Sequence, residues 1–594
     1  MLFSELVSYY EKLDRVSSRL AMIDILAEVF KNAKSDEIMH IIYMTQGVLA
    51  PPFEGIEFGM AEKMVEDVIA ISTGYTKEEV DKEYKKSGDL GLVAQSFTEK
   101  TKLKRMNEKK YSVNDIYETM FKIAHISGSG SKESKTKLLA SLVMTSTPIE
   151  AKYIVKYPLN ELRLGVGDAT ILEALSIMAH GDRTLKEKLE HAYNICSDLG
   201  MVAEKLKIEG EGVIDNFKVT IFKPIRPALA ERLPTAEEIL AKMHGKCSVD
   251  QKYDGFRCQI HKKLNTIKIY SRRLENTTEM YPDLVDAAKR ELKAESVILE
   301  GEALAYNEAT NEFLPFQETI QRKRKHGISE KIEELPLRLF AFDIMYLNGK
   351  DLLNEPYKER RSQLELLLKD TETIVPAKRI ITDSAKELNE FFEDSISNGL
   401  EGIVAKDLNA PYIAGARKFA WIKMKRSYKG ELSDTVDLVI VGYYLGKGIR
   451  SEFKFGGLLC AVYNEKRDMF ETISRIGSGF TEKQMKELKE KLEKIKVNKK
   501  PPRVDSVIEP DFWVYPKYVI TVKADEITKS PTHTCGKEKQ ADGTEVGYAL
   551  RFPRLVGEES AIRADKSVEE ATTTKEIIEM YKLQKRVSMH SEEA

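Results

Sequence analysis

The sequence contains few cysteines, and none are paired at metal-binding spacing. Five cysteines are scattered over 594 residues without a Cys-x-x-Cys pair, which argues against a disulfide framework and against a structural zinc site. His533 and Cys535 come nearest to a metal cluster. Two such residues without further partners are more typical of a loop, so we predict no structural metal there.

Long apolar segments are also missing. No stretch approaches the ~20 apolar residues that a membrane-spanning helix needs. The first residues lack the basic segment, apolar run and cleavage site of a signal peptide. We therefore expect a cytoplasmic, intracellular protein without a targeting signal and without a membrane partner.

Charge of one sign is not in excess, because 93 lysines and arginines stand against 95 aspartates and glutamates. A nucleic-acid binder of this size would have to concentrate its cations on one face. Two basic runs are candidates for phosphate contacts, one over residues 100–110 and the other over residues 322–325. Either run in isolation is equally typical of a solvated surface.

The length predicts several domains, since one domain takes ~150 residues. Residues 1–222 place apolar side chains at three- and four-residue intervals, which is the pattern of α-helices. Pro224 and Pro227 mark a linker, because proline stops helices and favours extended chain. Residues 223–429 alternate short β-rich runs with helical ones. Residues 430–594 contain short strands with glycine-rich turns, as in a small barrel, followed by a terminal helix over residues 567–586.

The predicted fold class is therefore multidomain, with an all-α N-terminal domain, an α+β domain and a β-barrel domain. Its most informative segment runs from Lys252 to Arg257 and has the pattern Lys-x-Asp-Gly-x-Arg. A lysine becomes a covalent nucleophile when desolvation or nearby positive charge lowers its pKa. In a strand, Lys252 and Asp254 project to the same face. Gly255 lets the backbone approach a ligand, and Arg257 offers a planar donor fork for phosphate.

A motif this short also fits an edge strand that ends in a turn, but further motifs accompany it along the chain. They are ELRLG at residues 161–165, YSRR at 270–273, YPD at 281–283, ILEGEA at 298–303, FAFDIMYLNG at 340–349, LEGIVAK at 400–406, WIKMK at 421–425 and LRFPR at 550–554. In this order and combination, the chain resembles ATP-dependent DNA ligases of the archaeal and eukaryotic replicative type. The resemblance spans nearly the whole chain.

The resemblance implies an enzyme that seals nicks in duplex DNA during replication, repair and recombination. It implies ATP and Mg²⁺ as cofactors, a lysine–AMP intermediate and an adenylated 5′-phosphate. It also implies a DNA-binding domain (1–222), an adenylation domain (223–429) and an oligonucleotide-binding (OB-fold) barrel (430–594). Nicked double-stranded DNA is the expected partner of a monomer. A sliding clamp is a further candidate partner, although Gln95-Ser96-Phe97 is only a fragment of the peptide that binds it.

The family's functional positions can be carried over residue by residue. Lys252 matches the nucleophile, while Arg257 and Arg272 match positions that hold the nucleotide phosphate or the ribose and the nick phosphate. Phe342 matches the aromatic residue that stacks on adenine. Asp250 matches the position that contacts the adenine, where a glutamate is common.

Four more positions complete the candidate site. Glu302 and Glu401 match the carboxylates that hold magnesium, whose hard oxygen coordination needs only one or two protein ligands. Glu302 also counts among the nucleotide-binding residues. Arg417 and Lys423 match late phosphate-contacting positions, with Lys425 on the same strand face as Lys423. We expect burial and surrounding cations to depress the pKa of Lys252, because the amine must be neutral to attack.

Two segments outside the middle domain are expected to act on the substrates. Arg551 and Arg554 match a segment that meets the pyrophosphate of ATP when the barrel closes over the active site. Arg163 and Gly165 are predicted to begin a helix whose amides and cations grip DNA phosphates across the minor groove.

Two other functions share parts of this pattern. An RNA capping enzyme that uses GTP, or an RNA ligase, carries the lysine signature and several later motifs, but the large helical region and the LRFPR segment favour a DNA ligase. A catalytically silent DNA-binding protein is the second alternative, and the joint presence of Lys252, Glu302, Glu401 and Lys423 argues against it. The lack of zinc-binding cysteines argues against the NAD-dependent bacterial ligases. The sequence leaves open whether ADP or NAD also serves, which metal is preferred, and the working temperature.

Overall fold

The computed structural model describes residues 1–16, 18–103, 109–307, 312–313, 336–398, 400–425, 435–445, 455–539, 545–557 and 560–582. The basic run at residues 322–325, part of the run at 100–110, and the polar tail after residue 582 lie outside these residues. Within the described residues, no helix combines the length and apolar character needed to cross a membrane.

The N-terminal region is helical, as predicted. Several of its helices begin at side-chain caps, such as Ser112 and Thr147, whose hydroxyls accept a backbone N–H of the first turn. Their apolar faces meet in one large core. The helices are α1 (Phe3–Arg15), α2 (Arg19–Asn32), α3 (Ile38–Gln46), α4 (Glu62–Thr73), α5 (Lys77–Ser87), α6 (Leu90–Glu99), α7 (Val113–His125), α8 (Ser131–Met144), α9 (Pro148–Lys156), α10 (Asp168–His180), α11 (Lys186–Cys196) and α12 (Leu199–Glu209).

One expectation for this region was wrong in detail. Arg163 and Gly165 do not begin a helix, because both have left-handed φ angles, of 37° and 72°, which an α-helix cannot contain. They lie in the loop before α10, which begins at Asp168. The fragment that ends at Phe97 lies within α6, where the Phe97 ring is buried and stacks on Tyr75 with a centroid distance of 3.9 Å. A clamp-binding peptide has to be exposed, so this fragment is not one.

In its described residues, the middle region contains two sheets and four α-helices. One sheet has the strand order β1-β12-β11-β2-β10. The other has the order β4-β3-β5-β7-β8, with β6 beside β5 and β9 beside β7. In chain order the elements are β1 (Leu229–Arg232), α13 (Ala236–Lys242), β2 (Cys247–Lys252), β3 (Phe256–Lys263), β4 (Thr266–Ser271), α14 (Pro282–Glu291), β5 (Ser296–Asn307), β6 (Glu312–Phe313), β7 (Leu337–Leu347), β8 (Lys350–Asp351), α15 (Tyr357–Leu367), β9 (Ile374–Pro376), β10 (Arg379–Thr382), α16 (Ala385–Ser397), β11 (Gly402–Asp407) and β12 (Arg417–Lys425).

The C-terminal region is rich in strands, and its main sheet has the order β16-β18-β13-β14-β15-β17, with β19 beside β13 and β23 beside β19. A smaller sheet has the order β20-β22-β21. The elements are β13 (Val436–Tyr444), β14 (Gly457–Asn464), β15 (Met469–Ile476), α17 (Glu482–Glu493), β16 (Lys496–Val497), β17 (Val504–Asp505), β18 (Phe512–Val514), β19 (Val519–Lys523), β20 (Glu526–Ser530), β21 (Glu538–Lys539), β22 (Glu545–Arg551) and β23 (Arg554–Leu555).

The terminal helix begins later than the sequence pattern predicts. Residues 574–582, called here the C-terminal helix, are helical, whereas residues 571–573 are not. Thr573 caps the helix, because its backbone N–H donates to the Glu576 carboxylate while its hydroxyl accepts from the Glu576 N–H. This cap fixes the direction in which Glu576 points.

Candidate active site

A cavity of about 340 Å³ lies between the two sheets of the middle region. The end of β2, the strands β11 and β12, and the start of β3 line it from the middle region. Residues of the C-terminal region between 563 and 576 line it from the opposite side. The cavity therefore lies at a boundary between two regions, as ligand sites commonly do.

Lys252 lies at the end of β2, and its ammonium group is paired with Glu401. The backbone explains the pairing, because Lys252 is in register with Gly402 on β11 and its carbonyl accepts the backbone N–H of Glu401. Lys425, at the end of β12, donates to the other oxygen of the Glu401 carboxylate at 2.5 Å. Three strand ends thus bring two cations onto one carboxylate.

The pKa of Lys252 is not depressed, contrary to the sequence-based expectation. Burial disfavours the ammonium form, but the charges of Glu401 and then Glu302 outweigh burial and raise the pKa of Lys252 above its usual value. The same ion pairs hold the pKa of Glu401 well below its usual value, against the effect of burial. The expectation failed because two carboxylates face the amine while the cations lie beyond them.

Glu302 lies in β5, in register with Arg257 on β3, and it lines the same cavity. Burial raises its pKa to about 7, and the positive charges of Lys252 and Arg257 only partly oppose this. Within the described residues no three carboxylate, histidine or cysteine side chains form a metal-binding cluster. Glu302 and Glu401, the two carboxylates that the sequence assigns to magnesium, both line the cavity.

Aromatic rings form another wall of the cavity. Phe342 on β7 and Trp421 on β12 meet edge to face, with centroids 5.8 Å apart, and both line the cavity. The Arg257 guanidinium lies 5.4 Å from the Phe342 ring and 5.5 Å from the Trp421 ring. Lys406 lies 4.7 Å and 4.3 Å from the same two rings. A flat, apolar surface with cations at its edge suits a nucleobase.

Asp250 lies behind this aromatic wall in a buried polar network. Its carboxylate pairs with Lys406 at 2.8 Å and accepts a hydrogen bond from the Tyr357 hydroxyl at 3.2 Å. Lys406 in turn donates to the backbone carbonyl of Phe342 at 3.0 Å. The Asp250 side chain therefore positions Lys406 and, through it, the strand that carries Phe342.

Arg257 is held by groups from three elements. It donates to the Ala228 carbonyl and to the buried Glu300 carboxylate, each at 2.8 Å. Glu300 also accepts the Tyr412 hydroxyl at 2.7 Å. The Nε atom of Arg257 is buried without a hydrogen-bond partner among the described residues. One N–H of a fixed guanidinium thus remains for an acceptor that binds in the cavity.

The predicted phosphate-binding cations pair with acidic residues of the C-terminal region. Lys423 donates to Glu576 at 3.0 Å, and Arg417 lies 2.6 Å from the same carboxylate. The Arg417 contact is an ion pair without hydrogen-bond geometry, because its Nε and Nη1 atoms have no hydrogen-bond partner in the described part of the chain. Arg272 pairs with Glu570 at 2.5 Å. Carboxylates of the C-terminal region therefore hold three of the four cations that the sequence assigns to the nucleotide and phosphates.

Comparison with known proteins gives the family of this chain. It is 49% identical to "Probable DNA ligase" of Dictyoglomus turgidum over 99% of this chain and 98% of that protein. It is 42% identical to the DNA ligase of Sulfurisphaera tokodaii over the full length of both. Family models match residues 2–176 (DNA ligase N terminus), 227–425 (ATP dependent DNA ligase domain) and 451–566 (ATP dependent DNA ligase C terminal region). The chain belongs to the ATP-dependent DNA ligase family.

The candidate residues of this ligase fall into two groups, according to whether they line the cavity. Lys252, Glu302, Phe342, Arg417 and Glu401 line the cavity, and so do the remaining predicted positions: Asp250, Arg257, Arg272 and Lys423. Two candidates lie elsewhere. Arg551 and Arg554 are not among the residues that line the cavity; they pair with Glu526 at 3.3 Å and Asp525 at 2.7 Å on the C-terminal region itself. A role for them at the pyrophosphate of ATP would require the C-terminal region to rotate.

Several residues of the ligase site were missed from the sequence. Lys406 and Glu300 lie within the motifs given above. The only indication of their position was that Lys406 projects to the same strand face as Val404, and Glu300 to the same face as Glu302. Nothing in the sequence indicated that Glu570 and Glu576 belong to the site, since a glutamate near the chain end is typical of a solvated surface. Only the fold of the C-terminal region over the middle region brings them to the cations.

Proposed function

We propose that this ligase seals nicks in duplex DNA by forming a covalent AMP adduct on Lys252. The observation that carries the proposal is the position of this lysine, the only one of the described chain that combines the family's Lys-x-Asp-Gly-x-Arg pattern with a place in the cavity. Its amine faces Glu401 and Glu302, while an aromatic wall and ten further arginine or lysine side chains line the same cavity. The aromatic wall suits the base of a nucleoside triphosphate, the cations suit its phosphates, and the lysine amine suits attack on its reacting phosphorus.

ATP fits the cavity by the chemistry of its lining. Phe342 and Trp421 offer apolar surface to the base. The Nε–H group of Arg257 is a buried donor without a hydrogen-bond partner among the described residues, which is costly and which an oxygen-rich ligand would satisfy. Lys423, whose pKa burial lowers to about 7, would regain its charge beside a phosphate.

Magnesium fits the two carboxylates that face the amine. Glu302 has a pKa raised to about 7, mainly by burial, and a divalent cation would favour its ionised form. Glu302 and Glu401 are the residues that would hold the ion, in agreement with the few protein ligands that Mg²⁺ takes beside phosphate oxygens. Bound there, the metal would neutralise charge on the transferred phosphoryl group.

The remaining steps follow from what these side chains can do. Lys252 must lose a proton to attack the α-phosphorus of ATP, which breaks the bond to pyrophosphate, and Glu401 is the group in contact with it. A cation that draws Glu401 away would lower the pKa of Lys252 and free the amine. AMP then passes to the 5′-phosphate of the nick, and attack by the neighbouring 3′-hydroxyl releases it, so the last step requires no lysine–AMP bond.

We propose that the helical region and the C-terminal region act on the DNA. Residues 1–222 would bind the duplex, and residues 430–594 would form an OB-fold barrel that covers the nucleotide and then the nick. The middle region would be the adenylation domain, residues 223–429. The enzyme would act as an intracellular monomer, and a sliding clamp would have to bind a segment other than residues 95–97.

Labelling with radioactive ATP or GTP in the presence of Mg²⁺ tests the first step. A labelled protein band with ATP and not with GTP supports the proposal, whereas preference for GTP would indicate capping-enzyme chemistry. Sealing of a nicked DNA duplex, compared with a nicked RNA duplex, tests the substrate. A protein that labels itself but joins only RNA would contradict the DNA ligase assignment.

A further inference from the structure

A second contact between distant parts of the chain joins the helical region to the C-terminal region. Asp468 lies between β14 and β15, and its side chain is 3% exposed. Its carboxylate lies 3.2 Å from Nε of Arg19, the first residue of α2. The Thr170 hydroxyl, in the first turn of α10, donates to the same carboxylate oxygen at 3.2 Å. Two residues of the helical region thus hold one carboxylate of the C-terminal region.

Two side chains of the C-terminal region itself hold this carboxylate in place. Arg503 donates to its other oxygen at 2.6 Å, and the Tyr463 hydroxyl donates to that oxygen at 2.8 Å. Asp468 itself has a φ of 51°, a left-handed conformation that few residues other than glycine, asparagine and aspartate adopt. The turn therefore presents a positioned anion to the helical region.

The contact extends over the loop that precedes α10, which the sequence assigns to DNA phosphates. A Cβ atom on Gly167 would lie 3.0 Å from the Arg503 guanidinium, and one on Gly165 would lie 3.2 Å from Pro502. Arg163 donates to the carbonyl of Lys494 in the C-terminal region. No DNA backbone could reach this loop while the C-terminal region lies against it.

The charge on the helical side of the contact is positive. Glu173 of α10 is approached by Arg19 at 3.0 Å, by Lys186 at 2.8 Å and by Arg183 at 3.6 Å. The three cations and the Glu173 carboxylate together carry a net charge of +2, and Asp468 reduces this to +1. Asp168, the other carboxylate of this helix end, is engaged by the Tyr193 hydroxyl at 2.7 Å. A DNA phosphate has the same charge as Asp468 and accepts hydrogen bonds from the same donors.

We propose that Arg19 and Thr170 form a binding site for a phosphate of the DNA backbone, and that Asp468 occupies this site when DNA is not bound. The C-terminal region thereby masks the DNA-binding face of the helical region, and nicked DNA has to displace it. This inference rests on the proposed function. It explains why the family's glycine-rich loop is in contact with protein rather than open to solvent.

The test uses two variants of the full-length protein that break the same ion pair from opposite sides. Asp468→Asn keeps the shape of the side chain but removes the charge that competes with phosphate, so the contact between the C-terminal and helical regions is weakened. We expect it to bind a fluorescein-labelled nicked duplex about threefold to tenfold more tightly than the wild type, measured by anisotropy without ATP. Arg19→Ala also weakens this contact, but it removes a side chain that would bind the DNA phosphate. We expect it to bind about threefold or more weakly, and the double variant to lose the gain of Asp468→Asn.

Two controls exclude general charge and folding effects. Glu538→Gln removes one negative charge from an exposed position of the C-terminal region, paired with Lys529 at 3.4 Å, and should leave DNA affinity unchanged. Arg19→Lys keeps the charge but loses the planar fork that bridges Glu173 and Asp468. It should bind at least as tightly as the wild type, and it serves if Asp468→Asn fails to fold.

Specific results would overturn the proposal. It is refuted if folded Asp468→Asn binds no more tightly than the wild type, if Arg19→Ala binds as well as the wild type or better, or if Arg19→Lys is as weak as Arg19→Ala. Because affinity is measured without nucleotide, failure here is distinct from failure of the proposed function, which would appear as loss of sealing by the wild-type protein.

Discussion

Replacement of Lys252 by alanine tests the assignment of the nucleophile most directly. Self-adenylation should fall by a factor of at least about 10⁴, the range seen when a covalent nucleophile is removed, or at least about 5 kcal/mol in the activation free energy. Folding should change little. Lys252 and Glu401 are each about one quarter exposed, and Glu401 keeps Lys425 at 2.5 Å. We therefore expect a stability loss on the order of 1 kcal/mol.

Lys425→Ala is the matched control, because Lys425 contacts the same carboxylate. With Lys425 removed, Glu401 faces Lys252 alone and should raise the pKa of Lys252 further, so self-adenylation slows near pH 7 and recovers as the pH rises. No pH should restore Lys252→Ala. The assay is labelling with radioactive ATP from pH 6 to pH 9, followed by sealing of a nick that is already adenylated, which Lys252→Ala should still perform. A covalent AMP adduct on Lys252→Ala that survives denaturation of the protein, or loss of its activity on the adenylated nick with the fold intact, would refute the assignment.

Three further predictions concern the groups around Lys252. Since the pKa of Glu302 is raised to about 7, protons should compete with Mg²⁺ below that pH, and the Mg²⁺ concentration for half-maximal self-adenylation should increase as the pH falls from 8 to 6; a requirement independent of pH would contradict this. Glu576→Gln should release Arg417 and speed self-adenylation several-fold in single-turnover measurements, whereas a slower reaction in the folded variant would show that the Glu576 pair supports catalysis. Arg551→Ala combined with Arg554→Ala should slow self-adenylation more than sealing of an adenylated nick, and equal losses in both steps would rule out contact with the pyrophosphate.

Much of the organisation was readable from the sequence. The 3.6-residue spacing of apolar side chains predicted the helical region, because a helix must bury one face. Short runs rich in β-forming residues predicted the strands of the other two regions. The Lys252 motif and its companions in the middle region all supply residues that line the cavity, whereas ELRLG and LRFPR do not. The helix boundaries were less predictable, because a cap such as that at Thr573 depends on local hydrogen bonds rather than on periodicity.

The ionisation of the site was decided only by the tertiary structure. The sequence shows that Lys252 has cations within a few positions, but it does not show that β11 places Glu401 against the amine, so the direction of the pKa shift was predicted wrongly. The same holds for Glu576 and Asp468, which reach their partners across more than 100 residues of chain. Sequence fixes which groups a strand or helix presents to one side. Coulomb interactions depend on distance and burial, and the packing of one region against another determines both.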